Sequence, residues 1–174
     1  MPTIRRTALT CAATGIALGV LAAPAAACPE PHGLKAKGPT HAYAKAYKKA
    51  RTAVHVEYER GRTTVRFKVA GMPKSAKGKR FGVHVHRHKC GPRPADAGPH
   101  YQNPNAKPGT PLRDKEIWLD VKVDRKGRGA STAVVPWKVE KGTAGSVVLH
   151  AKPTNPRTGD AGDRLLCTTV PFGS

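Results

Sequence analysis

The stretch AVHVEYERGRTTVRFKVAG, residues 53–71, decides the fold. Val54, Val56 and Tyr58 alternate with His55, Glu57 and Glu59, and Val65, Phe67 and Val69 alternate with Arg66, Lys68 and Ala70. Successive side chains of a strand point to opposite faces, so each half reads as a half-buried strand, with the turn at Glu59-Arg60-Gly61.

Working outward, the same texture recurs in KRFGVHVH (79–86), EIWLDVKVD (116–124), ASTAVVPW (130–137), SVVLHAK (146–152) and RLLCTTVPF (164–172). A further short strand is expected near Ala42 to Tyr47. Short alternating strands separated by turns, without a convincing helix, predict an all-β fold: a Greek-key β-barrel or sandwich of about eight antiparallel strands. Two long stretches lack any period. Cys90 to Pro111 is rich in Gly, Pro and Asn, and loops longer than roughly 12–15 residues without structure of their own usually carry function. The second is Pro153 to Gly162. The sequence holds no dinucleotide-binding, P-loop or zinc-finger motif and no internal repeat.

The N-terminus divides differently. Arg5 and Arg6, the apolar run Thr7 to Ala23 and the small residues Ala25-Ala26-Ala27 predict a signal peptide over residues 1–27. The two arginines also raise twin-arginine export, although Ile4 and Thr7 match that signal poorly. Residues 28–50 are rich in Lys, Ala, Pro and Gly with no apolar period, and predict a basic flexible tether ahead of a domain at 51–174. Past residue 27 no apolar run approaches the roughly 18 residues of a membrane span.

The whole chain of 174 residues carries 31 Lys plus Arg against 11 Asp plus Glu, a formal charge of +20. Cleavage after Ala27 would leave 29 basic residues and a charge of +18. Such a field attracts small anions and anionic cell-envelope polymers. Specific nucleic-acid binding is not expected, because the basic residues are scattered and the nine aromatic residues show no interleaved pattern. Oligomeric state is not legible.

Cys11 leaves with the signal, so Cys28, Cys90 and Cys167 remain, which in an oxidising compartment implies one pair and one orphan. Cys28 directly follows the cleavage site, where a bacterial lipoprotein carries its lipidated cysteine, and is a candidate lipid anchor; a free or intermolecular thiol is the alternative.

In Val83-His84-Val85-His86, strand alternation puts both imidazoles on one face. His100 stands in the first long loop and His150 at the end of a strand. FGVHVH, then a Cys, then AGPHYQNP, VVLHAKP and GDAGDRLLC together resemble the ordered signature of the copper/zinc superoxide dismutase family, from about residue 53 to the end. The resemblance implies a Greek-key barrel, conversion of superoxide to oxygen and hydrogen peroxide, and four copper ligands: His84, His86, His100 and His150. It also implies a disulfide between Cys90 and Cys167 and an anion-guiding role for Arg164. Four imidazoles suit both copper oxidation states, and a guanidinium is permanently charged.

Of the family's further zinc ligands, two histidines and an aspartate, the histidines have no counterpart: no histidine lies between Tyr101 and Leu149. Asp114, Glu116 and Asp120 with one imidazole make a poor zinc set, so copper is expected and zinc is not. The resemblance is to a copper-only branch, in which His100, free of a zinc bridge, could supply a proton to peroxide. Asn155 and Asp160 are the nearest candidates to orient a ligand histidine. His88 continues the period of His84 and His86 and could be a fifth contact, or a plain loop residue; His32, His41 and His55 match no motif. The alternatives to an enzyme are a copper-binding or copper-delivery protein on the same fold, and a basic envelope-associated module.

Overall fold

The computed structural model describes residues 32–173. The stretch expected to be a signal peptide, Cys11 and Cys28 lie outside the described residues. The architecture is all-β, as expected, with every strand pair antiparallel. One four-stranded sheet runs in the order β1 (His32–Gly38), β3 (Arg51–Glu59), β4 (Arg62–Ala70), β8 (Gly129–Val135). The second runs β2 (His41–Ala42), β10 (Arg164–Thr169), β9 (Ser146–His150), β6 (Val83–His86). A two-stranded ribbon pairs β5 (Arg80–Phe81) with β7 (Val121–Lys122). Among the described residues helix is limited to one short turn, Leu112–Lys115, and three 3-10 turns.

The opening hairpin forms as read. Glu59 pairs with Arg62 across a two-residue turn in which Arg60 (φ 49°) and Gly61 (φ 75°) both have positive φ. That geometry matches the twist of the flanking strands and explains glycine at the second position. The register sets Val54 opposite Phe67 and Val56 opposite Val65, all buried on one face. Val83, Val85, Val147, Leu149 and Leu166 from the second sheet complete one apolar core with them, joined by Phe81 and Val121 of the ribbon. Each such side chain contributes about 1.5–3 kcal/mol by leaving water.

The expected tether is corrected by β1. His32 to Gly38 pair residue by residue with Tyr58 to Thr52 of β3. Leu34 and Ala36 pack against the core while Lys35 and Lys37 face outward. Two small apolar contacts between lysines suffice because β3 supplies the whole backbone ladder. The strand expected near Ala42–Tyr47 divides into β2, paired to β10, and a 3-10 turn at Lys45–Tyr47. The long strand expected over 116–124 shrinks to Val121–Lys122, because Glu116 and Trp118 turn toward the site and make only isolated bridges.

Candidate metal centre

Alternation along the second sheet sends Val83, Val85, Val147 and Leu149 into the core and leaves His84, His86 and His150 on its outer face. The two long loops bury that face. His86 bridges to His100, which brings the first loop over the strand. Gly82 allows the second loop to close: a Cβ there would lie 2.6 Å from the Ala161 Cβ and 2.7 Å from Thr154 Oγ1. His84 and His86 are fully buried, His150 is 4% exposed and His100 is partly buried. One nitrogen from each of the four lies within 4.8 Å of the others, a group that could hold a metal ion.

The outward-facing ring nitrogens are each tied down, which fixes the tautomers. His86 Nδ1–H donates to the Gly98 carbonyl (2.9 Å), His150 Nδ1–H to the Gly162 carbonyl (3.0 Å) and His100 Nδ1–H to Glu116 Oε2 (2.9 Å). The Thr154 hydroxyl donates to Asp120 Oδ1 (2.6 Å), so its oxygen accepts from His84 Nε2–H (2.7 Å). The inward nitrogens are thereby left with bare lone pairs. His84 Nδ1 is buried without any hydrogen-bond partner. His86 Nε2 and His150 Nε2 face each other at 3.2 Å. Two lone pairs at that distance repel unless a cation lies between them, so the residues present fit a nitrogen-ligated metal ion.

Burial keeps His84, His86 and His150 neutral. Burial pushes the His150 imidazole down to about 4 and His86 to about 2, although a carbonyl hydrogen bond raises each in part. His84 is pushed lower still, by burial and then by the neighbouring imidazoles. Neutral imidazole is the form that binds a metal.

Arg164 pairs with His150 across β9 and β10. Its Nη1 donates to the Pro94 carbonyl (2.6 Å) and its Nη2 to the Gly98 carbonyl (2.7 Å), which hold the guanidinium at the edge of the histidine group. Gly98 therefore anchors both a ligand histidine and the arginine. The loop carrying it is tied to β10 by a Cys90–Cys167 disulfide, which packs with Ala97 and Val148. Tyr43 steadies the same loop, its hydroxyl donating to the Gly91 carbonyl (3.0 Å).

The family model for copper/zinc superoxide dismutase matches residues 50–170. The chain belongs to that family. Comparison with curated proteins finds no match. The copper/zinc superoxide dismutase assignment agrees with the sheet order, the disulfide and the four-histidine group, all reached above from geometry.

Two expected details change. Asn155 and Asp160 do not orient a ligand: Asn155 Oδ1 accepts from the backbone of Arg157 and Thr158, and Asp160 Oδ1 from Gly162 N. Thr154 and Asp120 do that work at His84. His88 is exposed and outside the histidine group, His41 stacks on Tyr43, and His55 lies beside Glu57 on the other sheet. Glu116 and Trp118 are site residues that the sequence did not single out in these roles. The buried Glu116 carboxylate accepts from His100, from Gln102 Nε2 (2.9 Å) and from Trp118 Nε1 (2.7 Å). Burial alone would raise its pKa, but these three donors hold it below the usual carboxylate range.

Proposed function

We propose that the protein is an exported, copper-dependent superoxide dismutase that works with copper alone. The observation that carries this reading is the convergence of four unshared imidazole nitrogens beside a guanidinium held at the mouth of the same site. Copper supplies one-electron chemistry between its two oxidation states, which turns two superoxide ions and two protons into oxygen and hydrogen peroxide.

The chain's own residues do the rest. Arg164 spends two of its N–H groups on Pro94 and Gly98 and keeps the others for a small anion. The carbonyl anchors fix its reach, so the anion is held next to His150 and His86 and not at random over the surface. The excess of basic residues adds long-range attraction that weakens with salt. His100 differs from the other three histidines in being hydrogen-bonded directly to a carboxylate, whereas Asp120 reaches His84 through the Thr154 hydroxyl. An imidazolium at His100 would have Glu116 as counter-ion, so this is the ring that can take a proton at Nε2 and pass it to the reduced product. The copper-only reading is supported by the partner of the His100 ring, a hydrogen-bonded carboxylate and not a further set of imidazoles. Export rests on residues 1–27, which carry the features of a secretory signal.

Loading the purified protein with copper alone, counting both metals and measuring dismutation beside His150→Ala and Arg164→Ala tests this. Fast turnover with one copper and no zinc, abolished in the first variant and reduced in the second, is expected. Tight copper binding with negligible turnover would make the protein a copper carrier instead.

A further inference from the structure

The outer face of the first sheet, on the far side of the core from the histidines, carries its charges in rows. Register places Lys37, Ala53, Lys68 and Ala130 side by side across the four strands, and Lys35, His55, Arg66 and Thr132 in the next row. Lys35 and Lys37 on β1 therefore face Arg66 and Lys68 on β4 across a floor of Ala53 and His55. With neighbouring strands about 4.8 Å apart and residues about 3.3 Å apart along each, the two cation lines stand about 10 Å apart with charges spaced at about 7 Å.

Two grooves meet at Ala53 and Lys68, one of about 260 Å³ along β1 and one of about 560 Å³ continuing to Arg51, Lys122 and Arg128. Two carboxylates border this trough. Glu57 pairs with Arg66 and lies 3.6 Å from His55, and Asp124 caps its own turn and pairs with Arg128. Lys35, Lys37, Lys68, Lys122 and Arg51 have no acidic partner among the described residues.

We propose that this trough binds a linear polyol-phosphate polymer of the cell envelope along β3. An extended phosphodiester chain presents one negative charge per repeat at a spacing comparable to that of the lysines. Ala53 leaves room for a narrow backbone to lie between the two rows, with His55 beside it on the floor. No Phe, Tyr or Trp lines the trough, so nothing offers the stacking platforms that single-stranded nucleic acid uses. Docking through this face would leave the histidine site on the opposite sheet open to solvent.

Titrating the purified protein with poly(glycerol phosphate) between about 50 and 200 mM salt tests the assignment. Lys37→Gln/Lys68→Gln is compared with Lys74→Gln/Lys77→Gln, which removes equal charge from exposed positions off the trough. The first pair is expected to weaken binding about tenfold and to lower the salt slope by about 1.4 units, the loss of two phosphate contacts at about 0.7 each. The second pair should change affinity less than about twofold, and both should keep the wild-type melting temperature. Equal losses in the two pairs would reduce the effect to net charge and overturn the site. So would absence of binding at 150 mM salt, or tighter binding of a single-stranded oligonucleotide of the same charge.

Discussion

Glu116→Gln isolates the charge of the carboxylate behind His100 while keeping its shape. In the native protein Oε2 accepts from His100 Nδ1–H and Trp118 Nε1–H, and Oε1 from Gln102. The glutamine must place its oxygen where the two ring donors meet, so its amide group faces Gln102. Gln102 is exposed and can turn its own amide over. No donor is stranded. All three hydrogen bonds change from charge-assisted to neutral, but the one to exposed Gln102 is screened by solvent, so the loss is set by the two ring hydrogen bonds. Each such change costs about 1 kcal/mol, for a total of about 2 kcal/mol. In a domain of this size that corresponds to a fall of roughly 6–10 °C in melting temperature. Glu116→Ala strands both ring N–H groups and opens a cavity, and should cost about twice as much. Thermal unfolding of the metal-free proteins, with dismutation measured at equal copper content, reads both effects. Turnover should fall in Glu116→Gln with copper retained, because an imidazolium at His100 loses its counter-ion. Unchanged melting and unchanged turnover would refute the reasoning, as would an alanine variant no worse than the glutamine one.

Cys90→Ser/Cys167→Ser opens a loop closed over 77 residues of sequence and should cost about 4 kcal/mol in denaturant unfolding; because Pro94 and Gly98 lie on the freed loop, activity should drop even under conditions where the variant stays folded. Thr154→Val removes the acceptor of His84 Nε2–H at nearly constant volume, and competition with a chelator should show copper affinity reduced about 10- to 100-fold. Acid should destabilise the metal-free protein specifically. His150 titrates at about 4 in the fold and near 6.5 when unfolded, so stability is complete above pH 6.5 and is lost as pH falls toward 4. By pH 5 this group alone removes about 2 kcal/mol. Denaturant midpoints that are flat from pH 7 to 5 would contradict the buried neutral cluster.

The strands that bury one face were legible because Val54, Val56, Val65 and Phe67 repeat their period without interruption. The four histidines were legible only through the ordered motifs around them, since HxH by itself says that two rings share a face and nothing about what they meet. β1 was missed because its apolar face is just Leu34 and Ala36, too little hydrophobicity to stand out among lysines. Thr154, Asp120 and Glu116 were out of reach for another reason. Their bonds to His84 and His100 span 16 to 70 positions in sequence, and hydrogen bonds between loops leave no trace in local periodicity. Asn155, one residue from Thr154, shows how closely position can be guessed while the chemistry is missed.

The family resemblance begins at residue 50, yet the folded unit begins no later than β1. A chain cut back to residue 50 would strip β1 from β3 and leave the seven residues from Thr52 to Tyr58 without their backbone partners along a sheet margin. It would also remove β2 from the margin of β10. Bare margins of that kind recruit strands from other molecules. With residues 32–49 in place the margins are β1 and β2 themselves, and Lys35 and Lys37 give β1 the charges that discourage such pairing.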